Sequence, residues 1–283
     1  MKKQSLFHSI LKVVGLLLTI STFIIIYLPI LIILIMSVND STRGYGWEGF
    51  TLKWYTALIV PSAYPEMTAL PNLLNAISDT LLVAILSTII ATVLGTIFAI
   101  GINALSRKNR IRMVVLNNIP IVNPDIVTGI SLLIVFSLLS FTLSFYTVLI
   151  AHVFFSIPYV VLSVLPKLKK LDPNMYEASL DLGCSRASGV GKVIIPNIAT
   201  GILAGALLAF TMSIDDFVIT YFTSGDEYLN VSTWLYTVLK HPRHFTPAVY
   251  AYNVIIFLIT IIIIIFINNV RERKEKISHE KNI

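Results

Sequence analysis

Charge is scarce in this sequence. Asp, Glu, Lys and Arg make up 13% of the 283 residues, against about 25% in an ordinary soluble domain, and that gap argues against a soluble globular chain. Cysteine is almost missing: Cys184 stands alone, which excludes an internal disulfide. There is no G-x-x-x-x-G-K-[ST] phosphate loop, which excludes ATP hydrolysis by a P-loop of its own. No nucleophile–base or metal constellation stands out, so no catalytic residue and no metal site is expected. His241 and His244 flank Pro242 and Arg243 with no third ligand in view.

Apolar residues are abundant, at 56%, with a mean hydropathy of +0.83. Uncharged runs cover 13–39, 80–106, 126–166, 193–214 and 245–270. A membrane-crossing helix needs about 20 apolar residues. The run 126–166 would span roughly 60 Å as one helix, so it must turn back, at SFTLSF (140–145). Six spans follow, near 13–37, 75–104, 113–141, 145–166, 195–222 and 247–269. The expected fold is an all-α membrane protein with six transmembrane helices. The opening MKKQSLFHSILK looks like the start of a signal peptide, but the run after it is too long for one and shows no small-residue cleavage site. A retained first helix is expected.

Basic residues orient the spans. With the N-terminus inside, segments 1–12, 105–112, 167–194 and 270–283 hold 17 of the 21 Lys and Arg; Arg43, Lys53, Lys240 and Arg243 lie outside. Both termini are therefore expected in the cytoplasm. The organisation is a cytoplasmic N-terminus (1–12), a first span (13–37), an extracellular loop (38–72), a core of five spans (73–269) and a basic cytoplasmic tail (270–283). That tail, with RERKEK at 271–276, is read as a topology anchor beside anionic lipid, not a nucleic-acid site.

The one long cytoplasmic loop reads KLKKLDPNMYEASLDLGCSRASGVGKVI (167–194). Asp172 before Pro173 starts a helix, and Gly183 stops it. Met175, Tyr176, Ser179, Leu180 and Leu182 fall on one side, Glu177 and Asp181 on the other. So short a helix needs a partner surface to be stable. Ser185 is placed to cap a second helix running towards Pro196.

The stretch EASLDLGCSRASGVGKVIIPN resembles the EAA loop of permease subunits of bacterial type I ABC importers, with Glu177, Ala178, Gly183 and Pro196 at the matching places. Ser179 stands where the family has a second alanine, and Val190 and Gly191 replace a common aromatic and a basic residue. NDSTRGYGWEGFTLKWY (39–55), NPDIVTGISLL (123–133), AHVFFSIPYVVL (151–162) and GILAGALLAFTMSIDDFVITYFTSG (201–225) resemble its polyamine branch, specifically the second type of spermidine/putrescine permease subunit. The resemblance covers about residues 13–270. It implies a bacterial cytoplasmic-membrane subunit whose 167–195 loop couples to an ATPase dimer through Glu177, Ala178, Asp181, Leu182, Gly183 and Arg186. It also implies a second homologous permease and an external polyamine-binding protein as partners. ATP and Mg would be bound by the ATPase, and no cofactor by this chain.

Acids inside spans are costly and mark pathways by default. Asp125, Asp215 and Asp216 are the candidates, with Asp79 at the outer end of the second span. Asp125 falls about 20 Å from the cytoplasmic end if the third span is straight, with Pro120 and Pro124 disrupting the helix. Ser213, Asp216, Thr220 and Thr223 follow 3–4 spacing and form a polar stripe, and Asp215 groups instead with Thr211, Met212, Ile219 and Phe222. Either both acids flank a pathway, with Asp216 on its wet face, or Asp215 satisfies another helix or a backbone group. No Lys or Arg lies in a span, so a polycationic substrate would supply the missing charge. Trp54, first because it lies in GFTLKWY, and Tyr55 are candidate cation–π partners, with Trp47, Tyr221 and Trp234 behind them; an interfacial aromatic belt is the favoured reading for each. Gly201, Gly205 and Ala209 form a close-packing stripe. His152, the one histidine inside a span, is expected at a helix contact.

Overall fold

A computed structural model describes residues 2–41, 46–64, 70–225, 228–240, 246–262 and 265. Among them the chain is helical without a strand, apart from one isolated bridge between Asn39 and Phe50. Packing divides it into two units, residues 1–72 with 241–283, and residues 73–240. The basic tail and the His241–His244 segment lie outside the described residues.

In the first unit, helix α1 (Lys2–Met36) runs 35 residues. Its apolar stretch from Lys12 buries nothing inside the chain. A helix apolar all round and exposed all round must be covered by lipid or another subunit. After it, the chain folds on Asn39, whose side-chain oxygen accepts from the Glu48 amide at 2.9 Å. Helix α2 (Lys53–Ile59) follows, then a single turn at Pro61–Ala63. The short apolar helix α12 (Ala248–Ile262) also belongs to this unit, and the rest of the span expected at 247–269 falls almost wholly outside the described residues.

The second unit carries the remaining long helices. These are α3 (Leu70–Ala104), α4 (Arg107–Val122), α5 (Asp125–Leu138) and α6 (Phe145–Leu168). Two short helices, α7 (Pro173–Asp181) and α8 (Arg186–Gly189), and a wider turn at Val190–Ile194 lead into α9 (Ile195–Asp215). Helices α10 (Val218–Thr223) and α11 (Val231–Lys240) complete it. Val160, Val161, Val164 and Leu168 of α6 pack against Ile198 and Ala209 of α9, with Ala99 of α3 joining them. Gly201, Gly205 and Ala209 are all buried there, so the small-residue stripe packs within the chain. A Cβ on Gly205 would sit 3.0 Å from the Val160 backbone, so glycine lets α9 approach α6 this closely without a shift of either helix.

Four described helices are long and apolar enough to cross a membrane, five if α4 and α5 count as one broken span. Two expected spans differ from straight helices. The third, 113–141, bends by 101° between α4 and α5. Pro124 disfavours helical geometry at Asn123, which is extended at φ −74° and ψ 133°. Pro120, expected to disrupt the helix too, stays inside α4. A straight-helix rise therefore does not give the depth of Asp125. The fifth span, 195–222, stops at Asp215, and Asp216 takes extended angles (φ −65°, ψ 129°) before α10 resumes.

Candidate functional site

Two parts of the second unit carry most of the candidate residues. The first is the loop from α7 to α9. Asp172 caps α7 by accepting from the Asn174 amide at 3.0 Å, with Pro173 at the first helical position. Gly183 has φ +88°, a left-handed conformation that glycine adopts without strain, and it ends the helix. Ser185 caps α8 through the Ser188 amide. Tyr176 and Ser179 turn inward against Gly189, and the Tyr176 hydroxyl donates to the Arg186 carbonyl at 3.4 Å. Glu177, Ala178, Asp181, Leu182, Gly183 and Arg186 are all exposed. Leu182 is 87% exposed and does not share the inward side of α7, because it sits just past the helix end. Behind the loop lies a cavity of about 500 Å³, bordered by Arg110, Leu168, Met175 and Asn197 among others.

The second part is the break between α9 and α10. The Asp216 carboxylate accepts from the amides of Ile219 (3.2 Å) and Thr220 (2.7 Å) and from the Thr220 hydroxyl (2.8 Å), and so caps α10. His152 of α6, 1% exposed, lies beside it with Nε2 at 3.5 Å from Oδ2. His152 Nδ1 is 2.6 Å from the Ser213 hydroxyl, and Nε2 is 2.9 Å from that of Thr220. Ser213 also accepts from Ser87 of α3. Thr220 gives its proton to Asp216, so it accepts from His152 Nε2–H; Nδ1 then accepts from Ser213. A neutral imidazole satisfies every bond in the chain. Asn230 closes the network by donating to the Asp216 carbonyl at 2.6 Å, while its own side-chain oxygen accepts from the Thr233 amide at 2.8 Å.

The two adjacent acids therefore have opposite surroundings. Asp216 is 8% exposed and saturated with donors; Asp215, at the last residue of α9, is exposed. The polar stripe expected from continuous helical spacing does not form as a stripe, because the helix breaks at Asp216. Asp216 is not without an in-chain partner either: a histidine, not a Lys or Arg, stands beside it. Asp125 is exposed in the first turn of α5, where the partial positive charge of the helix start favours a carboxylate. The Asp79 carbonyl accepts from the Tyr228 hydroxyl.

Trp54 and Tyr55 belong to the first unit. Trp54 is 2% exposed, donates from Nε1 to the Asn39 carbonyl at 2.7 Å, and has the Lys53 ammonium 4.6 Å from its ring centre. Lys53 also pairs with Asp40. The Tyr55 hydroxyl donates to Ser37. Trp47 is exposed and Trp234 buried. In the sequence Tyr221 stands behind Trp54 and Tyr55 and nothing singles out Phe217 or Tyr236, yet the three rings lie together, at centroid separations of 5.2–5.6 Å. Their spacing across a helix break and a second helix left no periodic signal. Beside them, the Tyr236 hydroxyl bonded to its ammonium raises the Lys240 pKa above the usual lysine value.

No family model matches the chain. A solved structure of an amino acid ABC transporter with histidines matches it at a TM-score of 0.52, covering 74% of this chain and 96% of that one at 17% identity. The fold is that of an ABC-transporter permease, a multi-pass membrane protein. PotC of Escherichia coli K12, a spermidine/putrescine transport system permease protein, is 32% identical over 240 residues, 85% of this chain and 87% of its own. PotI of the same organism, a putrescine transport system permease protein, is 32% identical over 213 residues, 72% of each chain. A PotC homolog of Mycoplasma genitalium is 28% identical over 265 residues, 89% of this chain and 90% of its own. The chain belongs to the PotC/PotI family of polyamine transport permease proteins.

Proposed function

We propose that this chain forms half of the translocation pathway of an ATP-driven, binding-protein-dependent importer of spermidine and putrescine. The observation that carries the reading is its 32% identity with PotC over most of both chains, together with the exposed residues of the 167–195 loop. Six spans put both termini in the cytoplasm of a bacterium, by the distribution of Lys and Arg. The 167–195 loop docks on an ATPase dimer that binds ATP and Mg. A second homologous permease completes the pathway, and an external polyamine-binding protein delivers the cargo. Closure of the ATPase dimer moves the loop and switches access from outside to inside, which requires the loop to bind the ATPase differently in the two states. Asp215, exposed at the helix break, and Asp125 line the route; Asp216 holds the break in shape.

The test is ATP-dependent uptake of spermidine and putrescine by the complex reconstituted with its partner subunits in liposomes. Uptake of either supports the assignment. A complex that hydrolyses ATP and imports neither overturns it, and leaves another cationic or metal-bearing cargo as the next candidate. A proton-coupled carrier is the competing class, and the buried His152–Asp216 pair is the observation in its favour. Uptake driven by a proton gradient without ATP would select that class.

A further inference from the structure

We propose that Phe217, Tyr221 and Tyr236 form an ammonium-binding subsite for the transported polyamine, and that the substrate takes the place of the Lys240 side chain there. This deepens the importer reading and rests on it.

The three rings form a closed triangle. Phe217 lies 5.6 Å from Tyr221 and 5.2 Å from Tyr236, and the two tyrosines are 5.5 Å apart, edge to face. Edge-to-face packing leaves ring faces available to a cation. One such face is in use: the Lys240 ammonium lies 4.3 Å from the centre of Tyr236. The lysine side chain ends in a primary ammonium on a four-carbon stem, which is the chemistry of one end of a linear aliphatic polyamine. The site thus already holds a chemical copy of such a substrate.

Three features distinguish this cluster from the other lysine–aromatic contact among the described residues, Lys53 on Trp54. Trp54 is 2% exposed and closed to an incoming cation, whereas Tyr221 is 46% exposed. Lys53 is paired with Asp40; among the described residues Lys240 has no carboxylate within ion-pair distance, so it is held by the Tyr236 ring and hydroxyl. Third, the rings are positioned by the same buried network that shapes the helix break. Asp216 caps the helix bearing Tyr221, and Asn230 ties the Asp216 carbonyl to the start of the helix bearing Tyr236. Phe217 lies in the break itself, next to that cap and two residues from the exposed Asp215. A cation held by ring faces, with a carboxylate nearby in sequence, is bound firmly enough to enter and weakly enough to leave, as passage requires.

The experiment compares ATP-driven uptake of radiolabelled spermidine and putrescine by the full reconstituted complex carrying Tyr236→Leu, Tyr236→Phe, Tyr221→Leu or Lys240→Gln, with ATP hydrolysis and the amount of assembled complex measured alongside. Loss of a ring face slows uptake per complex by about 2- to 30-fold, the range of one cation–π contact. The expected result is that Tyr236→Leu and Tyr221→Leu slow uptake within that range and that Tyr236→Phe loses less than Tyr236→Leu, since phenylalanine keeps the face and gives up only the hydroxyl. Lys240→Gln is expected to speed uptake at low substrate, because it removes the resident competitor. Wild-type rates in both leucine variants, equal loss in Tyr236→Phe and Tyr236→Leu, or slower uptake in Lys240→Gln would each overturn the subsite. Tyr221→Leu alters an exposed side chain, so it keeps the test open if Tyr236→Leu fails to assemble. An unaltered complex that hydrolyses ATP without importing either polyamine defeats the importer reading instead, and is told apart by that control.

Discussion

The loop between α6 and α9 and the break between α9 and α10 are both irregular segments beside α9, yet they are built in opposite ways. In the loop, local bonds fix the backbone, Tyr176 and Ser179 pack inward, and Glu177, Asp181, Leu182 and Arg186 are left outward. Asp172 and Ser185 cap helices a few residues away, Gly183 turns the chain at positive φ, and Leu182 stands in the open. In the break, side chains from distant parts of the chain fix the backbone. Asp216 is held beside His152, which reaches Ser213 and Thr220, and Ser87 stands behind Ser213. A surface that must bind a partner keeps its residues free; a bend that must keep its shape in an apolar setting has to satisfy each polar group internally. Polar residues in these two regions therefore carry different kinds of information.

The largest expected effect breaks the network. Asp216→Ala leaves the Ile219 and Thr220 amides short of an acceptor and should destabilise the chain by about 2–4 kcal/mol. Thermal melting of the detergent-solubilised complex reads this directly. Asp215→Ala, one residue away and exposed, should leave melting nearly unchanged, within about 0.5 kcal/mol, while lowering polyamine uptake. Equal melting shifts in the two variants would show that the adjacent acids do not differ as their surroundings indicate.

A smaller effect is expected at Gly183. A β-branched residue at φ +88° strains the backbone by about 1–2 kcal/mol, although open space surrounds the position. If the loop docks on the ATPase as proposed, Gly183→Val should lower uptake per ATP hydrolysed by roughly tenfold, because the end of α7 would shift relative to that partner. Gly183→Asn, which tolerates the left-handed region better, should recover most of it. Coupled transport in the valine variant at the unaltered rate would remove Gly183 from the coupling surface.

The contrast between the two regions also governs how much could be read from the sequence. The loop obeys rules that act over three or four residues: an aspartate before a proline, a glycine at the helix end, a serine before the next helix. All three stand in the structure as the sequence suggests. Leu182 departs from the helical spacing, because α7 ends at Asp181 and Leu182 lies just beyond it. In the break, no proline or glycine marks Asp216, and the apolar period runs on through Phe222, so a continuous helix was the natural reading. The bond that organises the bend comes from His152, 61 residues before Ser213, and no local rule can supply it. The bend at Asn123–Pro124 lies between these cases: proline announced a disruption, and only packing sets its 101°.

The smallest expected effect on stability, and the sharpest test of the loop, is at Leu182. A leucine 87% exposed contributes little to the chain's own core, so Leu182→Ser should move the melting temperature by less than about 0.5 kcal/mol would. Its apolar surface becomes useful only when another surface covers it. Burying a leucine side chain in an interface is worth about 1.5–3 kcal/mol, so the serine variant should weaken association with the ATPase subunits by roughly 10- to 100-fold. Copurification of the ATPase with the tagged permease across a salt and dilution series measures this. The two readouts together separate a docking residue from a folding residue: a melting shift without weaker association would place Leu182 in the fold, and weaker association without a melting shift places it on the surface that the ATPase covers.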